Sequence, residues 1–156
     1  RQDRNLDYLI KIWKENIHPK KEGFKLYVTP FKKDLTDHNI FNRKMLKKDD
    51  FIDDLIKARM MILPGHKAEL FCLSALEASE LCIPIITMGY GSLSERVEHG
   101  ITGLIAKNKN EFSNYILELF KNDKLWTQLR NNLILRRGSN SWKKATNKFF
   151  NTIINY

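Results

Sequence analysis

Apolar residues recur at helical spacing near the start of this chain: Leu6, Leu9, Ile10, Trp13 and Ile17 mark one face, with Asn5 as cap and Pro19 beyond the end. A turn at 21–23 leads into a strand from Phe24 to Thr29, alternating, β-branched and aromatic, ended by Pro30. Asn39 to Met45 forms a second, weaker strand. Asp49 and Asp50 put negative charge at the start of a helix whose face is Phe51, Ile52, Leu55 and Ile56. Met60 to Leu63 is a continuous apolar run stopped by Pro64 and Gly65, the pattern of a buried parallel strand.

The pattern then predicts a helix from about Leu70 to Leu81 and a strand from Ile83 to Thr87. A turn follows at Gly89 to Gly91, then a short helix through Val97 capped by Ser92 or Ser94, and a strand from Ile101 to Ala106. Helices fill the rest: Glu111 to Lys121, Asp123 to Arg136 and Ser141 to Asn155. Short strands alternating with helices argue for an α/β fold, a Rossmann-like doubly wound parallel sheet. In such sheets ligands bind beyond the carboxyl ends of the strands, so the informative residues follow Leu63, Thr87 and Thr29.

The segment 67–86 poses a question of its own, because Glu69, Glu77 and Glu80 lie among apolar and small residues. Glu77 is four residues after Leu73 and four before Leu81, inside what a helix makes an apolar stripe. A charge desolvated without a partner costs several kcal/mol, a large share of a total stability of roughly 5–15 kcal/mol. Glu77 therefore needs an Arg or Lys, a water-filled cleft, or the hydroxyls of a ligand; the plain alternative is a snorkelling or salt-bridged helix position. Glu69 stands at the strand-to-helix junction, where a carboxylate faces a cleft. Glu80 is on another face and reads as solvated.

With 156 residues, 42% of them hydrophobic, the chain is long enough for one domain and short for two. Its first residue is Arg1, with no apolar leader behind it, so it reads as a piece of something longer. No apolar run approaches the ~20 residues that a spanning helix needs. Cys72 and Cys82 both lie in the apolar segment and read as reduced, buried thiols of a cytoplasmic protein. The histidines His18, His38 and His99 show no ligand spacing with them, so no metal site is expected. No P-loop is present, and Gly89-Tyr90-Gly91 is too short for a dinucleotide fingerprint.

Against 18 acidic residues stand 27 basic ones, a formal net charge of +9. That balance favours anionic partners without choosing among phosphate esters, nucleic acid and anionic lipid, and its plain reading is a solvated lysine-rich surface. A non-catalytic basic module holding nucleic acid or anionic membrane is thus a competing reading. Against it, the aromatics fall mainly at core-facing helical positions and do not alternate with Lys and Arg on a strand platform.

Leu63-Pro-Gly-His-Lys-Ala-Glu69-Leu-Phe-Cys-Leu-Ser-Ala-Leu-Glu77-Ala-Ser-Glu-Leu-Cys-Ile-Pro84 resembles the donor-site signature of retaining GT-B glycosyltransferases, glycosyltransferase family 4 (glycosyl transferases group 1) above all. Seven residues separate its two glutamates. Gly91-Ser-Leu-Ser-Glu95-Arg-Val-Glu-His-Gly100-Ile-Thr-Gly103 is similar to a second family segment, and Arg4-Asn5-Leu-Asp-Tyr-Leu-Ile10 to a third. Three segments in the right order carry more weight than any one of them.

The resemblance implies a single domain, residues 1–156, that is the C-terminal, nucleotide-sugar-binding half of a GT-B fold, with the helix at 141–155 packing towards an N-terminal acceptor domain. It implies transfer of a sugar from a nucleotide-sugar to a glycan or lipid-linked acceptor in cell-envelope polysaccharide synthesis, without a metal or other cofactor. A GT-B relative such as a nucleotide-sugar epimerase is the neighbouring possibility. Basic charge is compatible with a peripheral contact at the inner face of the cytoplasmic membrane.

By the same resemblance Glu77 accepts from a ribose diol and Glu69 from the transferred sugar. The amides of Leu70, Phe71 and Cys72 at the helix start hold the pyrophosphate. Arg4, standing where the family has Lys, steadies the leaving phosphate, while His66 and Lys67 on one loop and the backbone of Gly89, Tyr90, Gly91 and Ser92 on another approach the donor. Three departures stand out. Cys72 and Cys82 replace Gly, and a side chain there narrows the space; Asn5 also replaces Gly, and Asn tolerates a left-handed conformation. The loop at 65–68 is about one residue longer than the family's common form.

Overall fold

The computed structural model describes residues 5–21, 23–29, 37–43 and 47–138, together with 144, 146, 147, 150 and 151. In chain order the elements are α1 (Leu6–Ile12), β1 (Leu26–Val28), β2 (Ile40–Asn42), α2 (Lys48–Leu55), β3 (Met61–Leu63), α3 (Leu73–Glu80), β4 (Ile85–Thr87), α4 (Leu93–Arg96), β5 (Gly103–Ile105), α5 (Lys109–Lys121) and α6 (Asp123–Arg136). The described strands form two parallel sheets, β1-β2 and β3-β4-β5. Leu26 pairs with Ile40, Met61 with Ile85, and Ile85 with Gly103. The expected α/β architecture with parallel strands is therefore present.

Alternation along the strands divides the core in two. Ile62, Ile86 and Leu104 face one cluster with α1, α5 and the β1-β2 pair, whereas Met61, Leu63, Ile85 and Ile105 face another with α3 and α4. This is why the apolar runs are continuous: both faces of the sheet are covered, so neither parity can be polar. Ile85, Ile86 and Thr87 of β4, the central strand of the three, are wholly buried.

The first helical stretch runs where its periodicity predicts, with a change of pitch. After Ile12 the backbone passes into a π-helical turn, Trp13–Ile17, and then a 3-10 turn, His18–Lys20, that contains Pro19. Trp13 and Ile17 are fully buried, and the Trp13 indole Nε1 donates to the carbonyl of His38 at 2.9 Å. The buried indole N–H thus has an acceptor at the edge of the core.

Other expectations shift in detail. Asn5 sits at the cap position in the left-handed region, φ 61°, without a side-chain capping bond; its amide group is used elsewhere, as described below. α3 begins at Leu73 instead of Leu70, because residues 66–72 are taken up by a turn. α5 starts two residues early, where the Asn108 side chain accepts from the Glu111 amide at 2.9 Å. Ser92 precedes α4 but makes no side-chain cap. Glu80 is half-buried, not simply solvated, and accepts from the amide of Gly138 at 3.0 Å. Pro30, the end of the predicted strand at 44–45 and most of the helix at 141–155 lie outside the described residues; 144, 146, 147, 150 and 151 are helical and exposed.

Candidate functional site

Two loops leave the carboxyl ends of neighbouring strands, one after Leu63 and one after Thr87, and they are bonded to each other. The amide of Ser92 donates to the carbonyl of Glu69 at 2.9 Å. Gly91, at φ 59°, lies so close that a Cβ on it would stand 2.5 Å from the Glu69 carbonyl oxygen and 2.7 Å from that of His66. Only glycine combines that backbone conformation with that approach. The second loop is shaped at its root by buried Thr87, whose Oγ1 accepts from the Gly89 amide at 3.0 Å.

A third segment joins them. The Asn5 side chain donates to the carbonyl of Gly65 at 2.5 Å, tying the start of α1 to the loop after β3. On the next turn of α1, burial together with the neighbouring Tyr90 phenol pushes the Tyr8 phenol above its ordinary pKa. The three segments singled out in the sequence thus converge. Arg4 lies outside the described residues.

Glu69 is half-buried and its backbone is fixed on both sides: its amide donates to the His66 carbonyl at 3.0 Å, and its own carbonyl receives Ser92. One carboxylate oxygen accepts from the Cys72 amide at 3.2 Å. Of the amides expected to await an anion, that of Cys72 is therefore already engaged, while those of Leu70 and Phe71 have no hydrogen bond to any described residue. His66 turns its Nδ1 onto its own loop, accepting from the Ala68 amide at 3.1 Å, and Lys67 is exposed.

Glu77 departs from expectation in an informative way. It is not in a buried stripe: Glu77 is exposed, and Leu73 one turn earlier is 61% exposed. The face of α3 that meets the sheet is Ala75 and Ala78, both fully buried with Cys72 beside them. Small side chains allow the closest approach of a helix to a sheet, so the alanines outcompete the leucines for the interior. The Leu73–Glu77 face is left open beside Leu70, 91% exposed, and Phe71. Of the three compensations considered for Glu77, an internal Arg or Lys is ruled out among the described residues: its carboxylate stands exposed and pairs with none of them.

Cys72 and Cys82 lie at φ 50° and 57°, the backbone region that Gly favours. Both are free thiols and both are buried, so the Cys72 side chain enters the core between α3 and α4 and does not narrow the opening. Arg96 of α4 was not singled out from the sequence, where it is one charge in a short helix. Its Nε donates to the carbonyl of Phe71 at 3.2 Å and its guanidinium lies 4.1 Å from the Phe71 ring centre.

Away from these loops, a pocket between α3, α4 and α6 is lined by Glu80, Glu95, Glu98, Arg96 and Arg136, among others, with Arg136 paired to Glu98. His18 and His38, distant in sequence, meet edge to face with ring centres 5.1 Å apart, and Asp37 bonds His38 at 2.9 Å. Among the described residues no group of three His, Cys, Asp or Glu is arranged to hold a metal, and no helix is long and apolar enough to cross a membrane.

Comparison with known proteins follows the same lines. The family model for glycosyl transferases group 1 matches residues 31–136. Among solved structures, the crystal structure of TarM is similar over 97% of this chain and 32% of its own, at 20% identity and a TM-score of 0.74. A TarM mutant from S. aureus in complex with fondaparinux, α-GlcNAc-glycerol and UDP is similar over 97% and 33%, at 19% identity and the same TM-score. No protein of curated function matches. The chain spans about a third of the length of the structures it resembles, and at this identity the likeness speaks for the fold. With its matched segment covering more than half of its residues, the chain belongs to the glycosyl transferases group 1 family and has the fold of the C-terminal domain of a GT-B glycosyltransferase.

Proposed function

We propose that this chain is the donor-binding part of a retaining glycosyltransferase. The observation that carries the reading is the open carboxylate of Glu77, on the same helix face as Leu73 in the helix that follows a loop held in place by the Glu69–Ser92 bond. A carboxylate there accepts two hydrogen bonds from the vicinal hydroxyls of a ribose. The amides of Leu70 and Phe71, in the turn that leads into the positive end of α3, receive the pyrophosphate, and Arg4 adds a guanidinium to it. Glu69 faces the sugar, with the Gly89, Tyr90, Gly91 and Ser92 backbone, His66 and Lys67 around it.

In the transfer the bond between the anomeric carbon and the β-phosphate oxygen breaks while an acceptor oxygen bonds to that carbon on the same face. The acceptor proton passes to the leaving phosphate, so no protein nucleophile is needed. Negative charge grows on the phosphate, and preorganised donors there lower the barrier. Neither metal nor other cofactor enters this scheme. The resemblance to a protein solved with UDP and α-GlcNAc-glycerol supports a nucleotide-sugar donor and a glycan or lipid-linked acceptor of the cell envelope. Free, buried thiols support a cytoplasmic setting, with basic charge suited to the inner membrane face.

The test is a calorimetric panel of UDP, GDP and ADP on this chain. One of them binds, weakly, and no transfer occurs without an acceptor domain to close the cleft. Failure of all three at millimolar concentration overturns the reading. The basic-module alternative has one observation on its side: Tyr27 and Phe41 are exposed and stacked across β1 and β2 at 5.3 Å, with the Arg43 guanidinium 4.3 Å from the Tyr27 ring. Salt separates the two, because binding to a nucleic-acid backbone falls steeply with ionic strength and a ribose-anchored nucleotide is held less sensitively.

A further inference from the structure

The peptide unit between Phe71 and Cys72 is gripped at both ends by ionised side chains. Its carbonyl accepts from Arg96 Nε at 3.2 Å, and its N–H donates to Glu69 Oε1 at 3.2 Å. A trans peptide is planar and points its C=O and N–H in opposite directions, so fixing one end fixes the other. Cation at the oxygen and anion at the hydrogen polarise the same amide in the same sense, which strengthens both bonds. Arg96 also lies over the ring of Phe71 at 4.1 Å. Leu70 and Phe71 are both exposed, so the apolar anchor of this turn is the buried side chain of Cys72, whose backbone occupies a left-handed conformation.

We propose that Arg96 is a positioning residue for the donor diphosphate-sugar: through the Phe71–Cys72 peptide it orients the Glu69 carboxylate and the neighbouring amides of Leu70 and Phe71. This rests on the donor-binding reading above and adds to it a residue on a different element, in α4. The ribose contact of Glu77 lies outside the clamp, since Glu77 is a full turn beyond the start of α3 and bonds to none of these groups. Removing Arg96 thus weakens the grip on phosphates and sugar and spares the grip on the nucleoside, whereas a general loss of structure weakens both.

The experiment compares Arg96→Ala and Arg96→Lys with the unaltered chain, using whichever of UDP, GDP and ADP binds best and its parent nucleoside. Arg96→Ala weakens the diphosphate about tenfold, a difference of ~1.4 kcal/mol, and leaves the nucleoside within about twofold. Arg96→Lys keeps a cation but loses the flat stack and the Nε donor, and falls between. Combining Arg96→Ala with Glu69→Gln gives less than the sum of the two losses, as expected of groups acting through one peptide. Unchanged diphosphate affinity, or equal losses for diphosphate and nucleoside, overturns the role of Arg96 and leaves the donor-binding reading standing. If the unaltered chain binds no diphosphate, the donor-binding reading fails and the proposed role fails with it. In that event amide exchange at Cys72 still decides the clamp itself, which is wrong if Arg96→Ala does not speed it.

Discussion

The amide of Ser92 donates to the carbonyl oxygen of Glu69 at 2.9 Å, and Gly91 immediately before it has no room for a side chain. Through this bond the loop after β4 sets where the loop after β3 lies, so a change in either alters both. Gly91→Ala adds a methyl group against two backbone oxygens at a backbone angle that costs an L-residue ~1–2 kcal/mol. The expected loss of stability is about 2–4 kcal/mol, read from urea denaturation, with nucleotide binding abolished. A variant as stable as the original would show that the clasp is softer than described.

Glu77 separates binding from stability. Because its carboxylate is exposed and pairs with no described residue, Glu77→Ala changes unfolding free energy by no more than about 0.5 kcal/mol. Nucleotide binding by the same variant drops more than about tenfold if two charge-assisted bonds to ribose are lost. Calorimetry and a thermal melt on one preparation give both numbers, and intact binding removes Glu77 from the site.

Cys82 tests the left-handed position. It is buried at φ 57°, its amide donates to Ser79 at 3.0 Å and its carbonyl accepts from Arg130 at 3.4 Å, so its backbone is held in place. Val is an ordinary core residue of similar size, yet β-branching is poorly tolerated at such an angle. Cys82→Val is expected to cost about 2–4 kcal/mol. Cys82→Gly relaxes the backbone but loses a buried side chain and loosens the unfolded chain, and these offset to within about 1 kcal/mol. Denaturant midpoints that rank the two variants the other way contradict the assigned conformation.

A pH effect follows from the pair that joins the π-helical turn to α5. Lys109 donates to Glu15 at 2.8 Å, and this bond holds the Glu15 carboxyl below its ordinary pKa. A lowered folded-state pKa means that the contribution is present above the unfolded value, about 4.3, and disappears as pH falls through the folded one. The melting temperature of Glu15→Gln therefore lies below that of the original at neutral pH, and the gap closes on acidification from roughly pH 4.3 downward. A gap that widens in acid reverses the assigned sign.

Much of the fold was legible because its signals are local. The end of β3 at Pro64, α6 from Asp123 to Arg136, and the covered strand Ile85–Thr87 follow from breakers, caps and continuous apolar runs, each decided within a few residues. The bond from the Trp13 indole to the His38 carbonyl was not legible, since its partner lies 25 residues away. Nor was the inward direction of Cys72, which follows from a left-handed φ in a turn between α3 and a neighbouring strand.

The sequence by itself determined the α/β class, the order of the elements, the family and the segments from which a site is made, because hydrophobic period, turn chemistry and motif spacing are properties of the chain alone. Only the tertiary structure decided that Ala75 and Ala78, not Leu73, meet the sheet, that Glu77 faces out, and that Arg96 reaches Phe71. Spacing places a residue on a helix, but which face is buried is settled by how closely each set of side chains lets the helix approach its neighbour, and the chain alone does not contain that neighbour's position.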